Sequence, residues 1–157
     1  MRKKYIMNRN VCIPAAYLII KRKNEIILLK RKNTGYEDGN YSFIAGHVEK
    51  GESFKGCIIR EAKEEAGIKI CESDLHLVHI MYRKKKNNDK HERIDSFYEA
   101  DKWKGNISNL EPEKCSELKW FNKDNIPENT IPFIKKVLEQ IEKKVFFTEF
   151  GWQKNEI

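Results

Sequence analysis

The sequence predicts an α+β fold of the α/β/α sandwich type, in which a mixed β-sheet lies between helices. Two observations favour this class. Short apolar runs typical of strands lie before and between two helical segments, so strands and helices follow each other in mixed order. The 157 residues are enough for one hydrophobic core, and neither an internal repeat nor a linker-like change in composition divides them. We therefore expect one domain over residues 1–157.

The strands are predicted from apolar runs that end at turn-forming or charged residues. Residues 11–20 and 26–29 form two such runs, and the short polar segment between them predicts a hairpin. A turn-rich stretch at residues 33–40 precedes the next predicted strand. Further strands are expected at residues 41–45, 75–83, 93–103 and 118–121.

The helices are predicted from apolar residues that recur at helical spacing. The first helix is expected from about Ser53 to Ala66, with Ser53 as its N-cap and Gly67 just past its end. The second is expected at residues 132–144, where an amphipathic pattern follows a turn containing Pro127. Residues 145–157 form an aromatic tail, which we expect to cover the core or to contact a second copy of the chain in a homodimer.

The charge and the cysteines restrict the class of protein. A net charge of +7 favours an anionic partner, which includes nucleic acid and any phosphorylated small molecule. The four cysteines are dispersed without a CxxC pair, which is typical of reduced thiols in a cytoplasmic protein. No segment has the length and apolarity of a membrane span, so we expect no membrane partner.

The most informative residues lie on the first predicted helix. Glu61, Glu64 and Glu65 are spaced at i, i+3 and i+4, which places their carboxylates on one helical face. Three carboxylates held together repel one another unless a cation lies between them. Mg²⁺ is the natural candidate, with Mn²⁺ as the alternative, because hard divalent ions prefer oxygen ligands and commonly act in phosphate chemistry.

The segment before this helix supports the same interpretation. Gly46 allows the backbone to approach a metal or phosphate closely. Glu52 lies eight residues before Arg60, so an ion pair between them would tie the loop to the helix and orient the neighbouring carboxylates.

Residues 46–68 resemble the Nudix box, whose pattern is G-x5-E-x7-R-E-U-x-E-E-x-G-U with U a bulky aliphatic residue. Ala62 is a smaller variant at the first U position, and Ile44-Ala45-Gly46 replaces the Pro-Gly-Gly of many members. The strand order around the box also resembles the Nudix fold over roughly residues 10–145. The matching positions are Gly46, Glu52, Arg60, Glu61, Glu64, Glu65, Gly67 and Ile68.

The resemblance implies a Nudix-type α/β/α sandwich with a catalytic loop-helix-loop that hydrolyses a nucleoside diphosphate linked to another moiety. It implies Mg²⁺ bound by Glu61 and Glu65, a contribution of Glu64 to metal or water binding, and completion of the metal shell by the carbonyl of Gly46. Glu52 and Arg60 are expected to position these groups. The general base in this family sometimes lies on a later loop, and Glu113 is our candidate there.

The substrate is much less visible in the sequence. His47 follows the box glycine and would face a phosphate, while Tyr36, Asp38 and Tyr41 would contact a base, although turn-forming and packing roles also explain these residues. We expect a small-molecule nucleotide, foremost a (deoxy)nucleoside triphosphate cleaved to the monophosphate and pyrophosphate, and we do not expect nucleic acid. The alternatives are a dinucleoside polyphosphate, a nucleotide sugar, capped RNA, or a non-catalytic module that binds nucleotide or RNA.

Overall fold

The structure, a computed structural model, describes residues 9–86 and 89–153. The helices are α1 (Phe54–Ala66) and α2 (Pro132–Glu142), and a short 3-10 helix covers Glu72–Asp74. The strands are β1 (Cys12–Arg22), β2 (Glu25–Arg31), β3 (Tyr41–Ser42), β4 (Ile44–His47), β5 (His76–Arg83), β6 (Glu92–Ala100), β7 (Cys115–Asn122) and β8 (Phe147–Phe150).

Strand β1 is the centre of the fold. It pairs in parallel with β6 and antiparallel with β4, and its last residues form the predicted hairpin with β2. The sheet order is β3-β2-β1-β6-β5-β8. Outside this order, β7 pairs with β2 and β4 pairs with β1. Because β1 pairs with both β4 and β2, it holds the loop before α1 close to β2.

The side chains of β1 divide the apolar residues between two cores. Ala16, Leu18 and Ile20 point to the face covered by α1. Tyr17 and its alternate neighbours Ala15 and Ile19 point to the face covered by α2. Successive strand residues face opposite sides of a sheet, so this alternation requires a helix on each face. The predicted α/β/α sandwich with a mixed sheet is confirmed.

Helix α1 begins and ends where the sequence predicts. The Ser53 hydroxyl accepts a hydrogen bond from the Gly56 amide at 3.0 Å and caps the first turn. Gly67 has φ +70°, a left-handed conformation that stops the helix at Ala66. Ile58, with other buried side chains of the helix, packs against the sheet and fixes the rotation of α1. This rotation turns the glutamate face toward the end of β4.

The strand expected at residues 93–103 ends at Ala100 and the helix expected at residues 132–144 ends at Glu142, and two further elements differ in kind from the sequence prediction. The strand expected at residues 41–45 is two short strands, because Ser42 pairs with β2 whereas Ile44 pairs with β1, and the chain passes between them at Phe43. The aromatic tail contains strand β8, which pairs in parallel with β5. Strand β8 has only four residues, and its two polar residues, Thr148 and Glu149, are adjacent and do not alternate with apolar ones. The sequence therefore predicts no strand there.

Candidate active site

Helix α1 forms one wall of a cleft of about 330 Å³ that we call the carboxylate cleft. Its other walls come from the ends of β2 and β4 and from the loop before β7. Four carboxylates line it, and Arg31 and Lys114 are the cations among its lining residues. The lining residues are Leu29, Arg31, Thr34, Ala45, Glu61, Glu64, Glu65, Glu111, Lys114, Cys115 and Leu118.

Arg60 connects the loop to the helix. Its Nε and Nη2 atoms donate to the two oxygens of Glu52 at 2.9 and 3.1 Å, a bidentate pair. Its Nη1 atom donates to Glu61 at 2.6 Å and to Glu64 at 3.2 Å. These hydrogen bonds lower the pKa of Glu52, so this carboxylate stays charged. The guanidinium therefore sets the positions of two cleft carboxylates while Glu52 holds the guanidinium.

Gly46 lies directly against the Glu61 carboxylate. A Cβ atom at this position would stand 1.8 Å from Glu61 Oε1, closer than any real contact. The absence of a side chain therefore lets the carboxylate rest on the backbone. The thiol of the buried Cys57 lies 3.5 Å from the carbonyl oxygens of Gly46 and His47. Burial raises the pKa of Cys57 to about 12, so the thiol remains protonated and acts as a weak donor instead of a nucleophile.

Glu65 is the deepest carboxylate of the cleft. Its Oε2 atom accepts a hydrogen bond from the Ala45 amide at 3.1 Å. Burial, together with the nearby charge of Glu61, raises the pKa of Glu65 to about 8. Burial also raises the pKa of Glu61, against the influence of Arg60. Two neighbouring carboxyls thus resist ionisation in the protein alone, and a cation between them would relieve both effects.

The residues of the cleft fit Mg²⁺ in their chemistry. The glutamates of the cleft offer hard oxygen donors, as Mg²⁺ requires, and so does the carbonyl of Gly46, whose backbone lies against the Glu61 carboxylate. Within residues 9–86 and 89–153, no group of three or more acidic, His or Cys side chains is already arranged around a metal position. The reason is visible in the contacts, since Arg60 draws Glu61 and Glu64 toward itself while Glu65 bonds to Ala45. Metal binding would require the carboxylate groups of these glutamates to rotate toward a common point in the cleft that they line, while the Arg60 guanidinium keeps Glu61 and Glu64 beside it.

The raised pKa of Glu65 predicts a pH dependence of stability in metal-free protein. A carboxyl whose pKa is about 8 in the folded state and near 4.5 in the unfolded state binds its proton more tightly when folded. Its contribution to stability is complete below pH 4.5 and is lost as the pH rises through 8. The melting temperature of the wild type relative to Glu65→Gln, measured in chelator, should therefore fall between pH 5 and 8. An unchanged difference across this range would contradict the prediction.

The loop before β7 places a different glutamate in the cleft from the one chosen by sequence. Glu113 is exposed and is not among the residues that line the carboxylate cleft, whereas Glu111 is one of them. The backbone of residues 111–115 turns so that the amides of Lys114 and Cys115 both bond to the Glu111 carbonyl. This turn directs residue 113 to solvent. Glu111 Oε1 contacts Lys114 Nζ at 2.9 Å.

A second cavity of about 330 Å³ adjoins the cleft, and we call it the arginine cavity. Of the predicted substrate-binding residues, Tyr36 and His47 line it. Burial and the charge of Arg93 lower the pKa of His47, and Arg93 Nη1 lies 2.5 Å from His47 Nε2. The complete lining is Ala15, Tyr17, Arg31, Thr34, Tyr36, Ser42, Ala45, Gly46, His47, Arg83, Arg93, Ile131 and Phe133.

The structure does not bring Tyr41 or Asp38 to either cavity. Tyr41 is buried in the core beside α2, and its hydroxyl contacts Glu117. Asp38 accepts hydrogen bonds from the amides of Thr34 and Gly35 and from the Thr34 hydroxyl. It therefore shapes the turn that presents Thr34 and Tyr36, which are the members of this loop that reach the cavities.

Sequence reasoning missed the arginines of the second cavity. Arg83 forms a buried ion pair with Asp95 at 2.7 Å, and its remaining nitrogens donate to the hydroxyls of Tyr36 and Tyr17. The basic run at residues 83–86 thus begins with a buried arginine. Arg83 is the last residue of β5, and its side chain points inward. The alternation of side chains along a strand is the one sequence signal that could have predicted this orientation.

Comparison with known proteins agrees with this architecture. The NUDIX domain profile matches residues 13–141, which is most of the chain. The chain belongs to the Nudix family, and the resemblance seen in residues 46–68 is confirmed. Among solved structures, a MutT NUDIX hydrolase from Burkholderia pseudomallei superposes with a TM-score of 0.75 at 24% identity, covering 83% of this chain and 98% of that one. A MutT protein from Methanosarcina mazei Go1 has a TM-score of 0.73 at 19% identity, covering 87% and 96%.

Curated relatives carry a different name. An NAD-capped RNA hydrolase NudC from Stutzerimonas stutzeri is 29% identical over 114 residues, which are 73% of this chain and 38% of that protein. The NudC of Shigella dysenteriae is 28% identical over 131 residues, 83% of this chain and 46% of that protein. The chain spans less than half the length of these relatives. Their names do not support the expectation that nucleic acid is an unlikely partner. No helix among the described residues is long and apolar enough to cross a membrane.

Proposed function

We propose that this protein is a Mg²⁺-dependent pyrophosphohydrolase that cleaves a nucleoside diphosphate linked to another moiety. The observation that carries the proposal is the carboxylate cleft, in which Glu61, Glu64 and Glu65 of one helical face meet Glu111 from another loop. Glu65, Glu61 and the Gly46 carbonyl would hold the metal ion. A bound Mg²⁺ supplies charge neutralisation of the pyrophosphate and a more acidic water.

The protein's own groups then position the reaction. Arg60 and Glu52 hold Glu61 and Glu64 in place. A water oxygen attacks one phosphorus, the bond from this phosphorus to the bridging oxygen breaks, and the bridging oxygen leaves with the second phosphoryl group. The proton of the water passes to a carboxylate. Glu64 and Glu111 are the candidates, and Glu111 takes the place that we expected for Glu113, because Glu111 lines the cleft.

The finer proposal for the substrate is a (deoxy)nucleoside triphosphate, which would give a nucleoside monophosphate and pyrophosphate. A second candidate is a substrate with two nucleotide parts, such as NAD or an NAD-capped RNA. The arginine cavity favours the capped RNA, because Arg31 and Arg93 beside the cleft offer a site for a phosphate outside the cleaved pyrophosphate, which NAD alone does not carry. The names of the NudC relatives point in the same direction.

A turnover screen with purified protein and Mg²⁺ tests the proposal. The panel contains nucleoside triphosphates, oxidised nucleotides, ADP-ribose, dinucleoside polyphosphates, nucleotide sugars, NAD and NAD-capped RNA. We expect at least one compound to be hydrolysed at its pyrophosphate in a metal-dependent reaction, with ¹⁸O from labelled water found in one product. The ranking of kcat/KM between triphosphates and NAD-type compounds decides between the two candidates.

The same screen identifies the proton acceptor and can refute the function. Glu64→Gln and Glu111→Gln are assayed on the best substrate. The general base is the residue whose replacement abolishes the fall of kcat at low pH, because a base is active only when it is deprotonated. Hydrolysis that is unaffected by chelator, or no hydrolysis of any compound while the protein is folded, would contradict the proposed function.

A further inference from the structure

We infer that the arginine cavity binds a second phosphate of the substrate, outside the pyrophosphate that is cleaved, and that Arg31 and Arg93 are its ligands. The substrate class is then a nucleotide that carries an additional phosphoryl group, either as a terminal monoester or as the diester of a longer chain. This inference rests on the proposed function, since it names a further part of the same substrate.

The two cavities are lined by side chains of opposite net charge. The arginine cavity is lined by Arg31, Arg83, Arg93 and His47, and none of its lining residues is acidic. The carboxylate cleft next to it is lined by four glutamates. A metal ion would neutralise the cleft, whereas the neighbouring cavity would keep its positive charge. An anion is the ligand that complements such a cavity.

The three arginines of the cavity differ in how far other groups already bind them. Arg83 is already neutralised, because Asp95 holds its Nε at 2.7 Å and two tyrosine hydroxyls accept from its other nitrogens. Its guanidinium also lies 4.0 Å from the centre of the Phe133 ring. Arg83 therefore builds the floor of the cavity and fixes Tyr36 over it, but it has little capacity left for a ligand.

Arg31 and Arg93 are in a different situation. Arg31 donates from Nε to the Tyr36 carbonyl at 2.7 Å and from Nη2 to the Thr34 hydroxyl at 3.0 Å, so neutral groups orient it, and no carboxylate in the described part of the chain forms an ion pair with it. Arg93 contacts His47, and its nearest carboxylate, Asp89, lies 3.8 Å away at the edge of contact. The Nε atom of Arg93 is buried and has no hydrogen-bond partner among the described residues.

The arginine cavity lies directly beside the carboxylate cleft. Arg31, Thr34 and Ala45 line both, so the two spaces share a wall. A molecule held by its pyrophosphate in the cleft would reach the arginine cavity with its next part. Planar guanidinium groups bind phosphate oxygens in pairs, which favours phosphate over a single carbonyl acceptor as the group that Arg31 and Arg93 bind together.

A binding experiment without metal or turnover tests the inference. The probes are 5′-monophosphates, 2′,5′-bisphosphates and 3′,5′-bisphosphates of adenosine and guanosine, and the 5′-phosphorylated dinucleotides pApA and pGpG. Isothermal titration in chelator gives each Kd. For the wild type we expect at least one probe with the extra phosphate to bind about tenfold more tightly than its monophosphate, because charged hydrogen bonds contribute at this level.

Arg93→Gln should reduce that preference to about threefold or less. Arg22→Gln is the matched control, because Arg22 lies on an exposed part of β1 beyond the cavity and pairs with Glu25. It removes the same charge and should keep the full preference. If Arg93→Gln does not fold, Arg93→Lys replaces it, and this variant should retain only part of the preference because an ammonium group lacks the planar fork.

The position of the preferred phosphate distinguishes its two sources. Preference for a bisphosphate indicates a terminal monoester, and preference for a dinucleotide indicates the 5′ end of a longer chain. Equal affinity of the wild type for all probes, no binding of any probe, or an equal loss in Arg93→Gln and Arg22→Gln would overturn the inference. Because the readout needs no hydrolysis, its failure is distinct from failure of the turnover screen.

Discussion

Replacing Glu65 by Gln is expected to lower kcat/KM by at least about 10³-fold, the largest effect that we predict. Glu65 is the deepest carboxylate of the cleft, and its negative charge would bind the metal ion directly. Glutamine keeps the size of the side chain and can still accept a hydrogen bond from the Ala45 amide, but it lacks that charge. A steady-state assay at saturating Mg²⁺ on the best substrate of the screen measures the loss.

Glu139→Gln is the matched control for this experiment. Glu139 is an exposed glutamate of α2 that pairs with lysines, so its replacement should leave kcat/KM unchanged within twofold. Glu65→Gln also removes a carboxyl whose ionisation is disfavoured by burial, and the variant should remain folded at neutral pH. A folded Glu65→Gln protein with wild-type kcat/KM would exclude Glu65 from the metal site.

Replacing Arg60 by Gln is expected to lower kcat about 10- to 100-fold and to raise the Mg²⁺ concentration needed for half-maximal activity. The guanidinium holds Glu61 and Glu64 from one side and is itself held by Glu52. Without it these carboxylates lose their fixed positions. Arg60→Lys should recover only part of the activity, because lysine keeps the charge but cannot bridge three carboxylates with a planar fork.

The dependence on Mg²⁺ separates this positioning role from a purely structural one. A general loss of folded protein would lower the amplitude of the activity without shifting the Mg²⁺ midpoint. Arg22→Gln again removes an exposed arginine and should shift neither quantity. A wild-type Mg²⁺ midpoint in Arg60→Gln would contradict the role that we assign to Arg60.

The box residues could be predicted from sequence because their relations are local. Helical spacing alone places Glu61, Glu64 and Glu65 on one face, and the eight-residue separation of Glu52 and Arg60 spans one loop and two turns. The ion pair between Glu52 and Arg60 is present in the structure at 2.9 Å. The rotation of α1 also follows from sequence, since its buried side chains must face the sheet.

The arginine cavity could not be predicted in the same way. Arg83 and Arg93 are register partners on the consecutive strands β5 and β6, whereas Arg31 comes from β2, and only the sheet order brings it close to the other two. Similarly, the choice between Glu111 and Glu113 depends on the hydrogen bonds of one short turn. Tyr41 was predicted to contact substrate because aromatic residues near a box suit that role, but its position between β2 and the loop before α2 turns its ring into the core.

The glutamates of α1 are expected to hold a divalent cation against a pyrophosphate. Anomalous diffraction from crystals soaked with Mn²⁺ and a non-hydrolysable α,β-methylene nucleotide measures this directly. We predict a peak at about 2.1 Å from oxygens of Glu61 and Glu65, with the Gly46 carbonyl and a phosphate oxygen also coordinated. A nucleotide bound without such a peak, or Mn²⁺ found only away from these glutamates, would contradict the proposed metal site.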